Sequence, residues 1–539
     1  MHRRRWLVAV VTVVIVALVS AACGTRLEDG EFLVVGAAEG VDPSTGEPTN
    51  DGSFTTDTNA GGTSGGSRGS TSGGGSGSGS ATNSGSGGGG TSTGGGGGTG
   101  TNTGGGGGTN TGGGGGGGTN TGGGGPNTAS DVGVTATSIK VGNITDIQGL
   151  LGPEAFKPIL EGLQAYFAFR NDRGGVNGRK IDLISCDDRF DTNLNKACTR
   201  KLIEQDKVFA LVANSTTSYA GASITDEKGV PDVGGGPIGN AYWKYGHLYS
   251  ILGGGGYPRD SKNIGLNGTL YSTTGVYRWF KEKLGVTKAA LFFYTIPVSR
   301  QAALGLIEPG LEKEGINVEY YGGGSDRGRE PTDPNYDSDV IAMKDLGVDG
   351  AFNAIDIAGF QKLCNAMDRQ DFKVKANVAT VQGWGQKVGT DFSSPCRDTV
   401  FATDAFRNYA DTNHPGVARF RQGMQAYKPS TTLRQWNVWG WAAGMLFADG
   451  VASMGGNVTR VGLENWLKAF TPQAAYQADE LGNPGLLNWR RVDFTKPDND
   501  CFTIGQWQDS AGTFVSKAPA WTCYTTGWID YTPQDTGGG

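Results

Sequence analysis

Five short stretches carry the polar groups best placed to meet a small molecule. Asn214-Ser215-Thr216-Thr217-Ser218 follows the apolar run VFALVA and precedes a segment with helical spacing. Hydroxyls and backbone N–H groups at a helix start suit a carboxylate or another electronegative group. Ser215, Thr216 and Thr217 are therefore candidate ligand contacts, with plain capping of the next helix as the alternative. Gly234-Gly235-Gly236-Pro237 closes the next apolar run, and glycine lets backbone approach a ligand closely, which makes Gly235 and Gly236 candidates. Tyr294 ends LFFY, Asp356 follows GAFNAI, and Gln382 follows VATV, all at the ends of strand-like runs. Trp384, like Trp243 and Tyr219, offers a flat wall for stacking, although such rings more often serve packing.

Catalytic chemistry finds little support. The histidines are His2, His247 and His414; His2 lies in an N-terminal signal, His414 precedes Pro415 at a helix start, and His247 is expected at the surface. The sequence from Thr137 onward has no GxSxG, HExxH or GxxxxGK[ST] pattern. Asp187-Asp188 is a carboxylate pair, but neighbours on a strand point to opposite faces. No catalytic residue, metal ligand or cofactor is expected. Trp436, Trp439 and Trp441, in a stretch apolar nearly all round, read as the core of a buried helix.

Seven cysteines are present. Cys23 follows a basic start, MHRRRW, an apolar run, LVAVVTVVIVALV, and the small residues Ser20-Ala21-Ala22. This order resembles the lipobox of bacterial lipoproteins and implies cleavage after Ala22 with lipid on Cys23. An ordinary secretory signal with an incidental cysteine, or an uncleaved anchor, is the alternative. The other six suit disulfides in an exported protein. Many connectivities are open, and pairing of sequence neighbours is expected: Cys186 with Cys198, Cys364 with Cys396, Cys501 with Cys523.

The elements that must position these residues alternate. SIKVGNI, RKIDLIS, VFALVA and VPDVG read as strands separated by helical segments. A second series, KAALFFY, INVEYYG, GAFNAI and VKANVAT, alternates with helices in the same way. Two such runs predict an α/β fold with two parallel sheets flanked by helices, and about 400 residues suit two lobes. Ligands of such sheets collect at the carboxyl ends of strands.

The stretch from LEGLQAYFAFRND through GGVNGRKIDLISCDD to ITDEKGVP resembles the type I periplasmic solute-binding family, whose best-known members are leucine/isoleucine/valine-binding proteins of ABC importers. The likeness runs from Ile139 to about Phe514. It implies two Rossmann-like lobes joined by three hinge crossovers and closing on a ligand: 138–255 plus 400–490, and 256–399 plus 491–531, with a 532–539 tail. It also implies that Thr217 offers a hydroxyl to a ligand carboxylate and Gly236 a backbone group. The chain departs where a hydroxyl is usual (Ile238), where an aromatic is common (Asp356), and where an acid pairs with a ligand ammonium (Gln382). Those departures leave the ligand's identity open.

Between Cys23 and Ser130 the chain is dominated by Gly, Ser, Thr and Asn, as in TNTGGGGGTNTGGGGGGGTNTGGGGP. With no apolar face to bury, such a segment is expected to be a disordered tether. Cleavage removes Arg3, Arg4 and Arg5, taking the formal charge from −6 to −9, which argues against nucleic acid as a partner. The resulting expectation is a monomeric, lipid-anchored, extracytoplasmic solute-binding protein that delivers a small polar ligand (amino acid, amide or small carboxylate) to an ABC permease. A sensing module signalling through a separate membrane partner is the alternative. An adhesive protein would explain the tether but not the two-lobe pattern.

Overall fold

The computed structural model describes residues 127–236, 238–252, 259–469, 481–482, 495, 497–518 and 521–532. The expected signal, Cys23 and most of the expected tether lie outside them. The end of the expected tether does not: Arg179, wholly buried, donates to Asn127 Oδ1 at 3.0 Å and to the Thr128 carbonyl at 3.1 Å, and Ser130 Oγ donates to the Val458 carbonyl at 2.6 Å. Residues 127–130 thus belong to the folded part, because a buried guanidinium needs their acceptors.

The first sheet is parallel throughout, in the order β2 (Lys180–Asp187), β1 (Ser138–Thr145), β3 (Ala210–Val212), β4 (Asp232–Gly235), β5 (Leu248–Ser250). The chain then passes through β6 (Leu270–Ser272) into the second sheet. There β8 (Asn317–Tyr321), β7 (Lys288–Phe293), β9 (Gly350–Ala354), β10 (Ala376–Ala379) and β11 (Val400–Asp404) run parallel. Next, helices return to the first sheet, and β12 (Asp498–Gln508), β13 (Thr513–Ser516) and β14 (Thr522–Thr526) add an antiparallel edge to the second. Finally β15 (Ile529–Tyr531) pairs with β6. Among the described residues the polypeptide therefore crosses between sheets three times. β11 departs from the expected boundary at 400: it extends the second sheet, since Asn377, Val378 and Ala379 pair with Val400, Phe401 and Ala402, and the crossover follows Asp404.

Helix α1 (Pro153–Asp172) begins with proline in its first turn, where the missing N–H costs nothing. It crosses α3 (Gln435–Ser453) backbone to backbone: a Cβ on Gly162 would lie 2.0 Å from the Asn437 carbonyl oxygen, and one on Gly440 would lie 1.8 Å from that of Ile159. Glycine at both positions is what permits the approach. Trp441 packs behind it, wholly buried and edge-on to Tyr166 and Phe420. Between them in sequence, α2 (Ile357–Arg369) covers the second sheet, capped by the Asp356 carboxylate, which accepts from Gly359 N at 2.9 Å.

The three disulfides join sequence neighbours as expected, Cys186–Cys198, Cys364–Cys396 and Cys501–Cys523. Each closes a short loop and so removes freedom from the unfolded chain. Among the described residues no helix is long and apolar enough to cross a membrane.

Candidate functional site

A cavity of about 200 Å³ lies between the lobes at the carboxyl ends of the strands. The first lobe gives it Leu151, Phe156, Thr217, Ile238 and Trp436; the second gives Tyr294, Ile296, Ser299, Asn353, Asp356, Thr380 and Gln382, with further aliphatic groups. Two contacts latch the lobes beside it. Asn240 and Gln301 exchange reciprocal amide bonds of 3.0 and 2.6 Å, both buried. Glu154, at the start of α1, pairs with Lys387 of the second lobe at 2.9 Å and with Arg434. Burial works against that carboxylate's charge, but these two cations hold its pKa below the usual value.

The loop after β3 is built differently from the sequence expectation. It caps no helix, since the next helix, Ala222–Glu227, starts from Gly221 without a side-chain cap. Instead Asn214 accepts from Ile144 N at 2.7 Å and donates to Asp232 at 2.7 Å and to the Tyr219 hydroxyl at 3.0 Å. Burial pushes Asp232 up to about 6, partly offset by its hydrogen-bond donors. Ser215 is wholly buried, and Thr216 Oγ1 donates inward to Asp188 Oδ2 at 2.5 Å. Thr217 alone of the three candidates lines the cavity.

Gly235 and Gly236 stay out of it. A Cβ on Gly235 would sit 1.6 Å from the Tyr242 hydroxyl, so packing explains that glycine, and Gly236 N–H is already bonded to the Asn214 carbonyl at 2.8 Å. Ile238, two residues on, is the wall. Trp384 is a correction: it is wholly buried, its ring against Gly505 and Phe514, and cannot stack on a ligand in this arrangement. Tyr219 is buried in the Asn214 network. His247, expected at the surface, is half-buried, and its Nδ1 pairs with Glu464.

The second lobe's candidates do converge. Tyr294 donates its hydroxyl to Asp356 Oδ1. Burial, then the Asp356 charge, pushes that phenol well above its ordinary range, so it remains a donor. Two amide oxygens at the wall, Asn353 Oδ1 and Gln382 Oε1, are buried without a hydrogen-bond partner. Asn353 is oriented by its own Nδ2, which donates to Asn377 Oδ1 at 3.0 Å and the Val378 carbonyl at 2.8 Å. Two orphaned acceptors beside a carboxylate make a surface that wants N–H or O–H donors.

A family model described as periplasmic binding protein matches residues 138–511. The chain belongs to the periplasmic binding protein family. No curated protein is similar enough to register as a match. Solved structures share the fold. One is a solute-binding protein of an ABC transporter from R. palustris, in complex with benzoate, at 16% identity, covering 72% of this chain and 98% of that one with a TM-score of 0.54. A leucine binding protein from Thermotoga maritima has 14% identity, 70% and 98% coverage, and a TM-score of 0.53. A branched-chain amino acid transporter substrate binding protein from Streptococcus pneumoniae, in complex with isoleucine, has 15% identity, 72% and 100% coverage, and a TM-score of 0.53.

Within this periplasmic binding protein, sequence reasoning missed Asn353 and Trp436. Asn353 had a signal, a polar residue inside the apolar strand GAFNAI. Trp436 had none, because α3 is apolar all round; the structure sends Trp441 to the core while Trp436 stacks on Phe156 at the cavity wall.

Proposed function

We propose that this chain is the extracytoplasmic, lipid-anchored solute-binding component of an ABC importer. Its two lobes close on a compact ligand that has a largely apolar body and a hydrogen-bond-donating head, then offer the closed form to a membrane permease. The observation that carries this reading is the cavity's asymmetry: aliphatic and aromatic walls around Asp356, Asn353 Oδ1 and Gln382 Oε1. This narrows the broad class of small polar ligands, because an apolar wall returns nothing for a fully polar solute that must leave water. A branched-chain amino acid fits, its ammonium on Asp356 and Gln382 and its carboxylate at Thr217. So does an apolar amide. A simple carboxylate such as benzoate would meet acceptors where it needs donors, and among the described residues the lining contains no lysine, arginine or histidine. Binding needs no bond-making step, and no catalytic group is invoked.

The test is a thermal-shift panel on the full chain: leucine, isoleucine, their amides, benzamide and benzoate. A ligand at 100 times its Kd adds about 2.7 kcal/mol, enough to move the melting transition visibly. Shifts from donor-bearing apolar compounds, with little from benzoate, are expected. A response to benzoate alone, or to none of the panel, overturns this ligand class. For the anchor, Cys23→Ala should move the protein out of the membrane fraction, and retention of that variant there would exclude lipidation as the tie.

A further inference from the structure

The mouth of the first lobe holds three carboxylates that the binding reading does not use. One oxygen from each of Asp146, Asp187 and Asp188 lies within 4.8 Å of the others. Sequence alternation should have sent Asp187 and Asp188 to opposite faces, but β2 ends at Asp187, so Asp188 lies in the following turn and the two converge. Their hydrogen bonds are specific and incomplete. Asp146 Oδ1 accepts from Gly149 N at 3.1 Å. Asp187 Oδ1 accepts from Ile147 N, Gln148 N and Arg189 N at 2.9, 3.4 and 3.1 Å. Asp188 Oδ2 accepts from Thr216 Oγ1 at 2.5 Å and Asn195 Nδ2 at 2.7 Å.

The second observation is what remains. Asp146 Oδ2, Asp187 Oδ2 and Asp188 Oδ1 are each buried with no hydrogen-bond partner, on residues of which Asp146 and Asp188 are only 2% and 1% exposed. Among the described residues, the ion pair to the group is Arg189 Nε, 4.0 Å from Asp187 Oδ2 and on a largely exposed side chain. Three carboxylates brought together and left one oxygen short apiece are costly unless a cation joins them.

We propose that Asp146, Asp187 and Asp188 form a Ca²⁺ site that fixes the mouth of the ligand cleft. All donors are hard oxygens, the set that suits Ca²⁺, Mg²⁺ or Mn²⁺ rather than the softer zinc or copper. Ca–O bonds of about 2.3–2.6 Å reach across oxygens up to about 5 Å apart, whereas the shorter bonds of Mg²⁺ demand a tighter octahedron. The ion would tie the ends of β1 and β2 together. Through Asp188 and Thr216 it would also hold the loop that presents Thr217, and through Asp146 the turn leading to Leu151. The proposal concerns a cation, so it stands or falls separately from the ligand reading.

The experiment is calorimetric titration of CaCl₂ into the chelator-treated full chain, with MgCl₂ in parallel. Saturable one-to-one binding with a Kd of about 10⁻⁴–10⁻³ M is expected, with Mg²⁺ weaker. Asp187→Asn keeps the acceptor for the three backbone N–H groups but removes charge, and should weaken Ca²⁺ binding at least about tenfold. Asp182→Asn, an exposed carboxylate on the same strand, should change nothing. Absence of saturable binding by the folded wild-type chain at about 10 mM Ca²⁺, well above that range, overturns the site. Equal affinity in the wild type and Asp187→Asn does so as well.

Discussion

The two lobes have the same α/β plan but turn their polar groups in opposite directions. In the first, Asn214 bonds to Asp232 and Thr216 to Asp188 beneath the cleft, and the described residues left lining the cavity are Leu151, Phe156, Ile238 and Trp436 with one hydroxyl, Thr217. In the second, Asp356, Asn353 and Gln382 face the cavity, two of them with acceptors unmet. Polar residues at strand ends are thus not equivalent. Those of the first lobe hold its loops, while on the proposed reading those of the second select the ligand. A ligand head should therefore be read by the second lobe and its body covered by the first.

The sharpest test falls where the lobes meet. Asp404 ends β11 of the second sheet, yet its carboxylate accepts from Gln435 Nε2 at 2.7 Å and Trp439 Nε1 at 3.0 Å, both on α3 of the first lobe. Burial, only partly offset by those donors, raises its pKa from 3.8 to about 7. Because the folded-state value is the higher one, the folded protein binds the proton more tightly. The contribution is present in full below the unfolded value and is lost as pH rises through about 7. At about 1.36 kcal/mol per unit, that is on the order of 4 kcal/mol. Urea unfolding from pH 4 to 8 should show a steeper fall for the wild type than for Asp404→Asn. Parallel curves would mean that Asp404 stays ionised.

Asn214→Ala addresses the inward habit of the first lobe. It strips Asp232 of a donor and Ile144 N of its acceptor, so unfolding stability should drop by about 3 kcal/mol. Full stability with lost ligand affinity would show that Asn214 serves the ligand instead. Asp356→Ala asks the reciprocal question: affinity for the ligand found in the screen should fall about 100-fold, with about 1 kcal/mol of stability lost from the cap of α2. Thr217→Ala, which removes the first-lobe hydroxyl among the described cavity-lining residues, should cost only about tenfold. The reverse ranking by calorimetry would invert the assignment of head and body.

How far this was readable from sequence follows from the same contrast. The strands around the cavity were legible because KAALFFY, GAFNAI and VKANVAT are largely apolar stretches of strand length, as buried parallel strands tend to be. Tyr294, Asp356 and Gln382 followed, since the end of such a run fixes where a side chain emerges. The first lobe defeated that logic. Ser215 and Thr216 have the right types in the right loop, but which way a hydroxyl turns depends on Asp188, distant in sequence until β1 and β2 pair. Trp384 failed for a similar reason, its partner being Gly505 on a strand that returns only after two crossovers. The β11 boundary erred because Val400–Asp404 precedes, rather than follows, the crossover.

The smallest predicted effect bears on the backbone. Resemblance assigns Gly236 a ligand-binding backbone group, whereas here its N–H donates to the Asn214 carbonyl and the residue has no left-handed φ. A Cβ at Gly236 would meet Ile159 and Trp439 at 3.7 Å, ordinary contact distance. Gly236→Ala should therefore leave ligand affinity unchanged and stability within about 0.5 kcal/mol. Gly235→Ala, one residue earlier, collides with the Tyr242 hydroxyl and should be strongly destabilising. If Gly236→Ala instead weakened binding while melting normally, the first lobe would be reading the ligand through its backbone, and its polar side would not be wholly turned inward.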